Sequence, residues 1–203
     1  MNSLTTSSGF ACGTLVRTDK GPVPIEQIKV GDKVLSRPQS GGAPDYRAVT
    51  RTLVHEDQEI FGIKHLDDAE PNSSFLLYPT GNHAFWIEGV GWRRVDRLSD
   101  EVPDGGTRFQ LEDGRAVSVR IVSPVYRTPR AHVGWYNTSI YLDDIGFEVD
   151  FSGKPDYLDL EATYPDEMEE PDPYLKVRVY NLEVEEFHNY YVGNQGVLVR
   201  DAY

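Results

Sequence analysis

The feature that most constrains this chain is how often it is interrupted. Apolar and β-branched residues come in short runs, many of them alternating, at residues 13–18, 33–36, 48–54, 59–65, 75–78, 84–87, 117–126, 174–183 and 197–199. Clusters of Gly, Pro, Asn and Asp separate them, as at 19–22, 41–45 and 104–106. Alternation at period two marks a strand with one face buried, and runs this short between turn residues leave little room for amphipathic helices. Only residues 24–28 and 92–98 read as short helices. The expected fold class is therefore all-β, sandwich-like or barrel-like. The chain has 203 residues, 39% of them hydrophobic, enough to bury a core as one domain or two small ones. No internal repeat of about 20–50 residues is visible.

Charge narrows the function. Asp and Glu total 33 against 20 Lys and Arg, a formal charge of −13. A duplex-binding surface needs Lys and Arg to replace counterions along the phosphates, so nucleic acid is an unlikely partner for this chain. The densest basic cluster, Arg93, Arg94 and Arg97, reads as a solvated helix face. No apolar run approaches the ~18 residues of a membrane span. Residues 1–8 have neither the basic nor the apolar region of an export signal, so the chain is expected to be soluble without a signal of its own. Cys12 stands alone, which excludes an internal disulfide and a four-cysteine zinc site. No Gly-rich phosphate loop is present, so nucleotide use has no support.

The negative charge is concentrated. Residues 143–173 hold twelve acids and one base, Lys154, and so carry −11 of the −13. Within them, YPDEMEEPDP at 164–173 combines three prolines with five acids, which suits neither a helix interior nor a central strand. It reads as an exposed insertion, either a solvated face or a docking surface for a partner.

Three blocks carry a family resemblance. Residues 13–35 read GTLVRTDKGPVPIEQIKVGDKVL, residues 80–98 read TGNHAFWIEGVGWRRVDRL, and residues 179–199 read VYNLEVEEFHNYYVGNQGVLV. In this order they resemble the opening, Thr-x-x-His and closing blocks of Hint domains, the hedgehog/intein family, and especially the bacterial intein-like and pretoxin-associated branch. The resemblance implies a compact all-β Hint fold with pseudo-twofold halves, whose first and last residues meet at one site. Residues 1–8 would be a flank and 9–203 a single domain, with a poorly matched middle at 99–173 and the acidic insertion at about 143–173.

The chemistry implied by the family is self-processing of the polypeptide. A first Cys or Ser attacks the preceding carbonyl, Thr-x-x-His polarises that peptide, and a terminal His-Asn pair cleaves the far junction through a succinimide. Carried over residue by residue, Thr80 and His83 match, His188 falls in the closing block, and Asp32 lies in the KVGD turn. Thr80 and His83 could equally hold strand ends together, His188 could be structural, and Asp32 could serve turn chemistry alone.

Both junctions depart from the pattern. The nucleophile position is Gly9, and Arg200 and Asp201 stand where His-Asn would, followed by Ala202 and Tyr203. Glycine offers no nucleophile, and Arg is no acid or base near neutral pH. Asp201 could attack its own peptide only through a carboxylate oxygen. The candidate substitutes are Ser8, one residue early and expected to point away from the site, and Cys12, which reads first as a small buried thiol packing as a hydrophobe.

The leading reading is an autoprocessing module of the polymorphic-toxin type, impaired in self-cleavage and splicing, with carrier and toxin segments of the same polypeptide as its partners. It would act in the bacterial cytoplasm or within a larger secreted effector. A second reading is a Hint-fold effector with metal-dependent hydrolase or nuclease activity. It would use zinc on His55, His65 or His83, near Asp67 and Asp68, although their spacing matches no established zinc motif. A third is a non-catalytic module that docks a partner through the acidic insertion. No other cofactor is expected. Trp86 and Trp92 read as interior residues, and the position of Trp135 and Tyr136 is left open.

Overall fold

The computed structural model describes residues 7–67, 69–98, 106–138, 145–163, 165 and 171–202. Within them the chain forms eighteen strands and two single-turn 3-10 helices. The first part comprises β1 (Phe10–Ala11), β2 (Leu15–Thr18), β3 (Gly21–Pro24), β4 (Lys33–Ser36), β5 (Asp45–Glu59), β6 (Phe61–Asp67), β7 (Glu70–Leu77), β8 (Ala84–Ile87), β9 (Gly91–Arg94), β10 (Arg108–Gln110) and β11 (Ala116–Pro124). Then come β12 (Tyr126–Arg127), β13 (Val133–Asn137), β14 (Ile145–Asp150) and β15 (Asp156–Thr163), and the chain closes with β16 (Lys176–Val184), β17 (Asn189–Val192) and β18 (Val197–Arg200).

Fourteen strands form one sheet in the order β1-β16-β5-β4-β2-β17-β18-β8-β10-β11-β6-β7, with β3 on β2 and β9 on β8. The other four form a smaller sheet, β12-β13-β14-β15. Where alternation is clean, the sequence sets the faces directly. In β8, Phe85 and Ile87 turn inward, while Ala84 and Trp86 are only half-buried. The large sheet curls around a core that includes Phe10, Val16, Phe85, Phe109 and Val199. A second core, containing Ala11, Tyr78, Tyr136, Val149 and Val179, joins the small sheet to the large one. Successive residues of β1 therefore face different cores, Phe10 one and Ala11 the other.

Several expectations need correction. Residues 92–98 are not a helix: Trp92 to Arg94 continue β9, and only Val95–Arg97 makes a 3-10 turn. Arg93, Arg94 and Arg97 are exposed as expected, but the first two lie on a strand. Residues 24–28 contain one 3-10 turn, Ile25–Gln27. The acidic region is not simply a loop, because β14 and β15 are paired strands within it. Its alternation was obscured by register shifts on either side of Glu148 and by acids on the exposed positions of β15. Asp143, Asp144, Tyr164 and residues 166–170 lie outside the described residues. Trp135 and Tyr136 are fully buried, and the Trp135 indole N–H donates to Ala162 O at 3.0 Å. Trp86 and Trp92 are only half-buried and pack edge to face against each other. No helix among the described residues is long and apolar enough to cross a membrane.

Candidate active site

Both ends of the described chain converge on β16. At the start, β1 pairs with it, Phe10 opposite Tyr180 and Ala11 opposite Val179. At the end, the Ala202 N–H donates to Leu182 O at 2.9 Å. Between these two contacts stands Asn181, fully buried, with all its hydrogen-bonding capacity engaged inside the protein. Its Nδ2 donates to Ser8 O at 3.1 Å and to Ser8 Oγ at 2.9 Å. Its Oδ1 accepts from the Leu182 N–H and from the Tyr190 hydroxyl, each at 2.8 Å. Sequence reasoning missed Asn181. Its one signal is an amide inside the apolar run VYNLEV, where a buried polar group has to be satisfied.

Thr80 holds the other side of the same peptide. The Gly9 N–H donates to Thr80 Oγ1 at 3.1 Å, and the Thr80 N–H donates back to Gly9 O at 2.9 Å. The Thr80 hydroxyl proton goes to Asn82 Oδ1 at 2.8 Å, leaving the oxygen oriented to accept. The Ser8–Gly9 peptide is thus gripped at its carbonyl by Asn181 and at its N–H by Thr80. A donor on a carbonyl oxygen favours the charge that develops there during nucleophilic attack.

Gly9 brings no side chain to this site. A Cβ on Gly9 would lie 2.7 Å from the Tyr180 carbonyl oxygen and 3.0 Å from Val179 Cγ2, so backbone occupies the space a side chain would need. The Ser8 side chain does not point away from the site as expected: its Oγ accepts from Asn181 Nδ2, the same amide that holds the Ser8 carbonyl. Attack by that hydroxyl on its own gripped carbonyl would close a strained β-lactone. Cys12 lies beyond β1, half-buried, and burial together with a hydrogen bond to Glu26 pushes its thiol up to about 11. The thiolate, which is the nucleophilic form, is therefore scarce at neutral pH.

His83 reaches the site through a tight turn, with its N–H donating to Thr80 O at 3.1 Å. Its ring packs edge-on against Phe10, centroids 4.4 Å apart, and against Phe85 at 5.9 Å. Neither ring nitrogen has a hydrogen-bond partner among the described residues. Burial alone pushes its pKa down to about 3, so the imidazole is neutral.

The far junction has different chemistry. Asp201 Oδ2 is buried, accepts from the Val184 N–H at 2.9 Å and lies 3.3 Å from His188 Nδ1. The Asp201 N–H donates to His188 O at 3.1 Å, so the closing loop and the chain end lock together. Arg200, opposite Asn189, is exposed. Asp32 stands apart in its own turn, where Oδ2 accepts from the Lys29 N–H at 2.9 Å.

The candidate metal ligands do not converge. His65 is buried between Phe75 and Phe109, and burial pushes its pKa down to about 4. His55 sits on β5 opposite Val179. Asp67 is bound to Arg115 and Gln195, and Asp68 lies outside the described residues. Among the described residues no three His, Cys, Asp or Glu side chains cluster as a metal would need.

Residues 15–125 match the family model described as the pretoxin HINT domain. The chain belongs to the pretoxin HINT family. Solved structures share the fold over nearly the whole length. A bacterial intein-like domain from Clostridium thermocellum is 22% identical with a TM-score of 0.61, covering 95% of this chain and 98% of that one. A DnaB intein from Synechocystis sp. PCC 6803 is 12% identical with a TM-score of 0.58, covering 97% and 100%. The Msm DnaB1 intein splicing domain bound with zinc is 14% identical with a TM-score of 0.52, covering 95% and 99%. No curated protein matches the sequence. Family and fold together make this chain a Hint autoprocessing module.

Proposed function

We propose that this is a HINT module of the polymorphic-toxin type whose self-cleavage and splicing are impaired. Residues 9–203 act as one domain, and carrier and toxin segments of the same polypeptide are its partners. The observation that carries this reading is the filled space at Gly9: the Ser8–Gly9 peptide is gripped by Thr80 and Asn181, yet no nucleophile can be built on Gly9 without moving Tyr180. At the far end, Asp201 holds a carboxylate where the family uses an amide nitrogen. Its attack on its own carbonyl would expel the Ala202 amine and leave a cyclic anhydride for water to open, a slower route than succinimide formation.

In this reading Thr80 and Asn181 keep their positioning roles, and His188 orients residue 201. His83 keeps its place beside Phe10 and remains neutral. Arg200 takes no proton-transfer role.

The test places the chain between two folded reporter domains and follows intact masses over a day. The unmodified fusion is expected to keep its full mass. The double variant Arg200→His, Asp201→Asn is expected to cleave after residue 201 while leaving the Gly9 junction intact. Cleavage of the unmodified fusion at either junction would overturn the impairment.

A further inference from the structure

The edge strands of the two sheets, β7 and β15, both contribute to the lining of one cavity. Among the described residues β7 pairs only with β6, and β15 pairs only with β14. A cavity of about 490 Å³ lies between them. On one side it is walled by five consecutive residues, Ser74 to Leu77 of β7 and the following Tyr78. Side chains alternate across a strand, so consecutive residues line one cavity only where the strand is presented edge-on. Phe147 of the inner strand β14, with Tyr157 and Leu160 of β15, forms the other wall, and Cys12 to Leu15 close the cavity beside Tyr78, whose carbonyl accepts from the Ala11 N–H. Tyr157, Leu158 and Leu160 are among the most exposed large apolar residues of the protein, on a strand that otherwise carries acids to solvent.

Among the described residues Lys154 is the one charged side chain lining this cavity. Its stem crosses Gly13, where a Cβ would lie 2.6 Å from the lysine Cγ, so the glycine makes room for it. Its ammonium has no carboxylate partner among the described residues.

We propose that this cavity receives an extended peptide strand with apolar side chains at alternate positions and one carboxylate. Its backbone adds to the open edge of β7 over Ser74 to Leu77, its apolar side chains pack on Leu76, Phe147 and Leu160, and its carboxylate meets Lys154. Strand addition to an exposed edge takes affinity from main-chain hydrogen bonds and specificity from side-chain contacts. A second copy of this chain fits less well through β15, because Asp156, Asp159 and Glu161 would face their own counterparts across the edge. The inference does not rest on the autoprocessing reading.

The probe is an acetylated, amidated pentapeptide of valine and threonine with one aspartate, titrated into the full chain and followed by amide chemical shifts. Saturable shifts are expected at residues 74–78 and 154–160. N-methylation of the peptide backbone should weaken binding about tenfold. Lys154→Glu should weaken it about fivefold, with partial recovery for a peptide carrying lysine in place of aspartate. Leu160→Arg, on an exposed edge, should abolish binding with the melting temperature retained. Absence of saturable shifts, shifts confined to other strands, or equal affinity for the N-methylated peptide would each overturn the proposal. So would binding of decanoate with the peptide silent, which would make the cavity a small-amphiphile site.

Discussion

The two junctions share a scaffold and differ in what remains on it. At the N-terminal junction the machinery that holds a peptide is complete: Thr80 takes the Gly9 N–H and Asn181 takes the Ser8 carbonyl. The attacking group is missing, and its space is filled. At the C-terminal junction a potential attacking group remains, the Asp201 carboxylate, but it is bound to Val184 and His188 and offers an oxygen in place of a nitrogen. In the proposed reading one end has the grip without a nucleophile, and the other offers a carboxylate oxygen in place of an amide nitrogen. The grip is made largely of backbone and buried amide contacts that the fold itself requires.

The two histidines offer the largest test of this contrast. His83 is buried without a hydrogen-bond partner among the described residues, whereas His188 is half-exposed beside a carboxylate. Burial lowers the pKa of His83 to about 3 and that of His65 to about 4, from an ordinary value of 6.5. Between the ordinary and folded values the unfolded chain binds the proton and the folded chain does not. Stability is therefore full above about pH 7 and falls as the pH drops toward 4, by roughly 3 kcal/mol for each histidine. Denaturant titrations at pH 7.5 and 4.5 should show the loss, and His83→Phe should remove about half of it. An unchanged pH slope in that variant would place the proton uptake elsewhere.

Next in size is Asn181→Leu, which strands the Tyr190 hydroxyl and the Leu182 N–H in the core. It is expected to destabilise the domain by about 3 kcal/mol, read from denaturant midpoints. Gly9→Ala should cost about 2 kcal/mol through the collision with Tyr180 O, so a side chain added there weakens the fold before it can react. Asp201→Ala should cost less, about 1 kcal/mol, because the His188 ring that shares its carboxylate with the Val184 N–H is half-exposed. A larger loss for Asp201→Ala than for Asn181→Leu would reverse the comparison and make the C-terminal latch the stronger organiser. Arg200→His, at an exposed strand end, should shift stability by less than about 0.5 kcal/mol.

How much could be read in advance varied along the chain with the clarity of its alternation. LVRT, KVLS and AFWI alternate cleanly, and they form strands at the expected places. The small sheet was not legible, because register shifts around Glu148 break the period and an acid-rich edge strand resembles a solvated loop. Thr80 and His83 were legible from their block, since a four-residue turn brings them together locally. Asn181 was not, because its partners Ser8 and Tyr190 lie 173 and 9 residues away in the chain.

The sequence by itself determined the all-β class, the family blocks and the presence of Gly at residue 9 and Arg-Asp at 200 and 201. These are properties of residue type and short-range spacing. Tertiary structure alone decided that Tyr180 fills the space beside Gly9, that Asn181 grips the Ser8 carbonyl, and that β7 and β15 line one cavity. Each of these depends on which distant strands become neighbours, and that is set by the packing of two cores on either side of β1.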